Sequence, residues 1–283
     1  KDKIEEFVTG KKPKGKIKVK KVIAPIWSLQ LGKDFSDPLL LDGPVESDSC
    51  KSMTIDSSNN VYCTGLTSSY LGSDESFIKT GATPRVFIRK INPSNEIVWT
   101  FQLGDQIHID AVGNILDSSG TNYCNDIAVD NLGNVFCAGY TDGGLGEANG
   151  GEYDAFIMKL NSLGELQWVT QLGAVHQSDN DNIIDSTESD KCNGVAVDSS
   201  GNVFCGGYTD GGLGESNGGS EDVFVMKLNS LGELQWITQL GSDSSNDNSL
   251  TIDSTEEDYC HGVAVDSSGN VFCAGQTQSN LGE

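Results

Sequence analysis

Histidine is scarce in this chain, and basic residues are scarce beyond its first 21 positions. Its histidines are His108, His176 and His261, and only His261 adjoins a cysteine. No C-x-x-C pair occurs, so the close ligand pairs of structural zinc sites, dithiol redox centres and covalent haem attachment are missing. Six prolines are too few for a proline-rich stalk. No apolar run approaches the ~18–20 residues of a membrane-crossing helix, which leaves no candidate helical span. H-E-x-x-H and phosphate-loop signatures are absent, so nothing marks a zinc-dependent hydrolase or a nucleotide site. Beyond residue 21 there are nine Lys and Arg against 38 Asp and Glu, a net charge of −29. Such a body repels phosphates and argues against a nucleic-acid partner. It suits cation binding or a basic partner.

Glycine is abundant, at 34 residues. With frequent Asp, Asn and Ser it gives the composition of an all-β protein with many tight turns. A length of 283 residues supplies one large core or two modest ones. The chain opens at Lys1 without a methionine or a signal-like apolar segment, which reads as a processed or excised product. Residues 1–21 carry nine lysines against Asp2, Glu5 and Glu6, a net of +6. We read 1–13 as a basic arm and 14–283 as the folded domain.

Four near-copies organise that domain. Cys192 to Gly207 reads CNGVAVDSSGNVFCGG, and close versions begin at Cys50, Cys124 and Cys260. Trp27, Trp99, Trp168 and Trp236 are 72, 69 and 68 residues apart, each shortly before a Leu-Gly pair. Self-similarity at a fixed period signals a repeat architecture. Within one unit the pattern predicts four strands: Gly194 to Asp198, the NVFCGG run, Asp222 to Leu228, and Glu233 to Gly241. Asp198 and Gly201 shape the first turn, the former by bonding the following backbone and the latter by supplying a positive φ. Apolar residues fall on both strand faces, which predicts sheets covered on both sides. Four antiparallel strands per unit, radially repeated, make the blade of a β-propeller.

The unit GVAVDSSGNVFCGGYTDG…DVFVMKLNSLGELQWITQLG resembles the bacterial β-propeller repeat family called SBBP. The shared pattern is an apolar strand ending in Asp, a Ser-Gly-Asn turn, a Val-Phe strand with Gly-Tyr-Thr, then Phe-Val-x-Lys and a Trp strand. The resemblance covers roughly residues 15–283 and implies an exported or surface protein; it brings no catalytic motif. Cysteine in the second strand and the presence of only four units are departures. Lys18 precedes Trp27 by the nine residues that separate Lys227 from Trp236. Residues 16–21 therefore read as a degenerate third strand, with Trp27 on a fourth. The chain stops after a second strand and SNLGE, so two strands from each end can complete one composite blade. A longer chain with further blades is the alternative.

The cysteines Cys50, Cys63, Cys124, Cys137, Cys192, Cys205, Cys260 and Cys273 form four equivalent pairs. They read as disulfides of an oxidising compartment, with buried free thiols as the alternative. If Cys205 faces Ala196, Cys192 lies too far along the strand for a bond unless it folds back. A bond between neighbouring blades is the other possibility, and connectivity stays open.

Two polar connections per unit are rich in oxygen. Asp142, Glu147 and Asp154, with Asp210, Glu215 and Asp222, are candidate calcium ligands in the first. Asp185 and Asp190, with Asp253 and Asp258, are those in the second. None matches an EF-hand, and solvated acidic loops are the plainer reading. Candidate carboxylates recur in every unit, whereas catalytic residues are singular, so a non-enzymatic module is expected. Its loops would present an acidic face to a protein, glycan or cation at the cell surface. The alternative is a self-associating subunit of an extracellular filament or coat, built through the basic arm and acidic body.

Overall fold

The computed structural model describes residues 48–67, 85–103, 120–145, 149–172, 188–213, 217, 220–240 and 257–278, with short strands at 108–109, 115–116, 176–177 and 183–185. The chain divides into Lys1–Gln30 and Leu31–Glu283, and every described residue belongs to the second part. The basic arm and the N-terminal half of the composite closing blade therefore lie outside the described residues.

All the described elements are strands. The first blade is β1 (Asp48–Ile55), β2 (Val61–Thr67), β3 (Arg85–Ile91) and β4 (Ile97–Gln102), paired antiparallel in that order. The ladder of β5 (His108–Ile109) and β6 (Ile115–Leu116) follows. The second blade is β7 (Asn122–Val129), β8 (Val135–Thr141), β9 (Asp154–Leu160) and β10 (Leu166–Leu172). Next come β11 (His176–Gln177) and β12 (Ile183–Asp185). The third blade is β13 (Asp190–Val197), β14 (Val203–Thr209), β16 (Asp222–Leu228) and β17 (Leu234–Leu240). Between its second and third strands, β15 (Gly212–Leu213) joins β12 in a small sheet. A last hairpin, β18 (Asp258–Val265) and β19 (Val271–Thr277), opens the fourth unit. The predicted four-strand unit is thus found. Its first strand starts at Asp190, four residues before the expected Gly194.

Both turn types are built by one side chain each. Asp198 Oδ1 accepts the backbone N–H of Ser200 at 2.8 Å and of Asn202 at 2.9 Å, and its Oδ2 accepts the Asn202 amide. Gly201 has φ of +80°, the left-handed turn conformation that glycine adopts most easily. Between third and fourth strands, Asn229 Oδ1 accepts from Leu231 and Glu233, and its Nδ2 donates to Glu233 Oε2 at 2.6 Å.

The core lies between blades. Phe136, Ala138, Ala155 and Ile157 of the second blade meet Cys192, Val195, Cys205, Phe224 and Met226 of the third. Tyr62, Val86 and Ile88 meet Cys124, Ile127, Cys137 and Phe156 in the same way. This is why each strand is apolar on both faces. Junctions are fastened by forward-reaching donors. Trp99 Nε1 donates to the Ser162 carbonyl at 3.1 Å, and Trp168 Nε1 to that of Ser230 at 3.3 Å. Asn125 and Asn193 donate to the carbonyls of Cys192 and Cys260. In the last hairpin, Phe272 is 57 % exposed, whereas Phe204 at the same position of the third blade is 2 % exposed.

Cys50–Cys63, Cys124–Cys137, Cys192–Cys205 and Cys260–Cys273 are disulfides, all within one hairpin. The expected obstacle disappears for two reasons. Cys205 faces Val195, not Ala196, and Asn193 is bulged out between Cys192 and Gly194. Cys192 then faces Gly207, and the Cα atoms of Cys192 and Cys205 are 5.9 Å apart, within the usual disulfide range. No cysteine has to leave its strand, and no disulfide joins two blades. The close approach also explains the glycine opposite each first cysteine. A Cβ on Gly65, Gly139, Gly207 or Gly275 would run into the carbonyl of Ser49, Tyr123, Lys191 or Tyr259.

Candidate functional site

The start of the first strand, the end of the second and the start of the third form one end of each blade. Here lie Asp154, Asp190, Asp222 and Asp258, drawn from both sequence-predicted acidic groups. In the second blade a buried row runs Asn122, Thr141, Asp154, Gln171. Thr141 Oγ1 donates to Asn122 Oδ1 at 2.7 Å, Asn122 Nδ2 donates to the Gly120 carbonyl, and Gln171 Nε2 donates to Asp154 Oδ2 at 2.6 Å. The third blade repeats it as Asp190, Thr209, Asp222, Gln239, with Gln239 Nε2 donating to Asp222 Oδ2 at 2.7 Å. Gln171 and Gln239 also accept the N–H of Leu145 and Leu213, tying the long loops down. Neighbouring blades meet at the same level. Asp190 N–H donates to the Tyr153 carbonyl at 2.7 Å, and Asp258 N–H to that of Glu221 at 2.9 Å.

The acids therefore differ in role. Asp154 and Asp222 hold glutamines, and Asp142 Oδ1 accepts the Thr121 N–H. Asp190 and Asp258 are fully buried, and none of their carboxylate oxygens has a partner at hydrogen-bond geometry. Burial pushes Asp190 up to about 8; the nearby Thr209 hydroxyl opposes this, and the charges of Asp154, Asp210 and Glu188 add to it. Asp210 rises to about 6, through burial first and then Glu221, with Lys191 opposing and Glu188 and Glu152 adding. Asp185 pairs its backbone with Gly212 in the small sheet. Glu147, Glu215 and Asp253 lie outside the described residues. Among the described residues no three acidic, histidine or cysteine side chains gather closely enough to cage a metal.

Sequence reasoning missed the aromatic row on the other face of these strand ends. Tyr123 stacks on Tyr140 at 4.6 Å, and Tyr153 meets Tyr140 edge-on at 5.2 Å. The Lys191 ammonium lies 5.1, 4.6 and 5.4 Å from the ring centres of Tyr140, Tyr153 and Tyr208. Tyr259 meets Tyr208 edge-on at 4.7 Å, and His261 lies parallel to Tyr259 at 5.9 Å. Burial, then the neighbouring phenols Tyr123, Tyr153 and Tyr208, raise Tyr140 to about 12. A signal was available. The residue before each first cysteine is Ser49, Tyr123, Lys191 or Tyr259, so the scaffold does not dictate it.

Among the described residues no helix is long and apolar enough to cross a membrane. No curated protein matches the chain. The Beta-propeller repeat family, SBBP, matches at residues 26–72, 98–147, 167–215 and 235–283. The last three matches each run from the Trp strand of one blade through the disulfide-closed hairpin of the next. On four matched repeats covering most of its length, the chain belongs to the SBBP beta-propeller repeat family.

Proposed function

We propose that the chain is an exported, non-enzymatic propeller module whose acidic blade ends bind a basic partner at the cell surface. The observation that carries this is the contrast between two sets of polar groups. Those that recur in each repeat, such as Asp198 and Asn229, are committed to turns. Those that vary form a partly exposed row of rings, Lys191 and carboxylates. A recurring scaffold with a varying surface supports binding or adhesion over catalysis. The four hairpin disulfides support export to an oxidising compartment.

The test is fluorescence anisotropy of a synthetic oligolysine peptide titrated with the full chain. Binding that weakens steeply with salt supports the reading. No binding at low salt, with hits on a glycan array, would move the assignment to a glycan partner. Calcium at the candidate acids is tested alongside: a melting temperature unchanged by chelator counts against it.

A second reading rests on charge segregation, +6 over residues 1–21 against −29 over the rest. It makes the chain a subunit of an extracellular filament or coat, the arm of one copy engaging the body of the next. Assembly that persists after deleting residues 1–13 would sink it.

A further inference from the structure

Two successive blade junctions carry the same positions with different residues. Between the second and third blades, Tyr140, Tyr153 and Tyr208 surround an ammonium, that of Lys191. The molecule itself thus shows what these rings hold: a cation over aromatic faces within ~6 Å, the geometry of cation–π attraction. Between the third blade and the last hairpin, each equivalent position lies 68 residues on. Tyr208 takes the place of Tyr140, Glu221 that of Tyr153, and Tyr259 that of Lys191. The chain's own lysine is replaced by a ring, and a ring by a carboxylate.

The surroundings of this second junction offer an ammonium both rings and carboxylates. Tyr208 and Tyr259 meet at 80°, forming two walls of a corner. His261, exposed, stacks beside Tyr259 with ring centres 5.9 Å apart and planes 4° off parallel. Burial first, and then the carboxylates of Glu221 and Glu257, raise the Tyr259 phenol above its ordinary value, and the Glu221 carbonyl is tied to this strand by the Asp258 N–H at 2.9 Å. Gln278 Nε2 donates to Glu257 Oε2 at 2.8 Å and fixes that carboxylate. Tyr208, Tyr259, Glu221 and Glu257 are all partly exposed. Two ring walls with two carboxylates make a half-cage; Lys191 lies 5.4 Å from the Tyr208 ring centre, and among the described residues no lysine or arginine lies over the Tyr259 ring.

We propose that this corner binds the ammonium head of a lysine from a basic partner segment, between Tyr208, Tyr259 and His261 and the carboxylates of Glu221 and Glu257. The proposal rests on the acidic-surface reading above and localises it. Rings supply a preference that charge alone does not. A trimethylated lysine keeps its charge, loses its hydrogen-bond donors, and gains contact with ring faces. A site built from carboxylates alone would lose affinity on trimethylation.

The experiment compares oligolysine and fully trimethylated oligolysine peptides, by anisotropy, on the full chain and on its Tyr259→Ala, Tyr259→Phe, His261→Ala and Glu257→Gln variants. Each variant is first checked for an intact disulfide count and unchanged cooperative melting. The expected result is that Tyr259→Ala weakens the peptide about fivefold or more, the scale of one cation–π contact. Tyr259→Phe retains binding, His261→Ala and Glu257→Gln weaken it, and the trimethylated peptide binds at least as tightly as the unmodified one. Wild-type affinity in Tyr259→Ala or His261→Ala, or a loss on trimethylation, would overturn the cage while leaving the acidic-surface reading standing. No binding of either peptide to the unaltered chain would overturn both. His261 is exposed, so its variant decides the matter even where Tyr259→Ala unfolds.

Discussion

Single residues carry more of this fold than their size suggests. Gly139 lies opposite Cys124, where any Cβ would meet the backbone carbonyl of Tyr123. That carbonyl is held by the strand and cannot swing aside, so Gly139→Ala is expected to cost about 1–3 kcal/mol, the scale of an overpacked core. Urea unfolding would show it as a lower midpoint with an unchanged slope. Asp190 makes the opposite case. Its folded pKa of about 8 lies above the ~4 of an unfolded aspartate, so its proton is bound more tightly when folded. Stability from this group is complete below about pH 4 and is lost as pH rises toward 8. Asp154, Asp210 and Glu188 all act in that direction, and the Thr209 hydroxyl against it. Asn stands at the equivalent position in the second blade, satisfied by Thr141 and the Gly120 carbonyl. Asp190→Asn should therefore flatten the fall in melting temperature between pH 5 and 9 and be the more stable protein at the alkaline end. A steeper fall in the variant would contradict the assignment. None of this was visible in the chain alone. Asp190 read as one more loop acid, because sequence shows charge and not burial.

At the scale of the element, the hairpin was the most legible part. Asp198 and Gly201 announced the turn, and the strands Asp222–Leu228 and Leu234–Leu240 fall where their apolar patterns place them. What could not be read was the one-residue difference in register and the bulge at Asn193. A bulge has no fixed residue signature, yet here it decides which thiols meet. The small sheet of β11, β12 and β15 also escaped notice, since its strands of two or three residues lie inside runs that read as polar loop. Each disulfide closes a loop of 13 residues, so replacing Cys192 and Cys205 together by serine should cost about 3 kcal/mol. Thermal melting with and without reductant would check this, and reduction should leave the doubly substituted hairpin with one staple fewer to lose. Loss of the fourth hairpin's bond, Cys260–Cys273, should matter less to the second blade than to the third, because Cys260 packs against Gly206 of the third blade.

At the scale of the whole chain, composition was a fair guide to class and a poor guide to partner. Glycine, turn residues and the 68-residue step led to blades and to the SBBP family. The net of −29 led only to a sign. The row at the blade ends gives that sign a place, because it lies where the repeats differ. A body so charged repels itself, and salt screens repulsion over about 10 Å at 0.1 M. The melting temperature should therefore rise between low and physiological ionic strength, while binding to a basic peptide weakens. A melting temperature that falls with added salt would mean that attractive pairs outweigh the excess of acids.

The thirteen-residue spacing of every disulfide has a bearing on how such a chain is made. Eight thiols can be joined in on the order of a hundred ways, and most would trap a secreted protein in a scrambled state. Here the right partner is always the next cysteine along, already brought close by a tight turn. Each hairpin can be oxidised as soon as it emerges, before the following blade exists, and the bonds of the second and third blades then pack against the sheet made before them. A chain with this wiring should reach its native bonds in the order in which it is synthesised, with little demand on a disulfide isomerase.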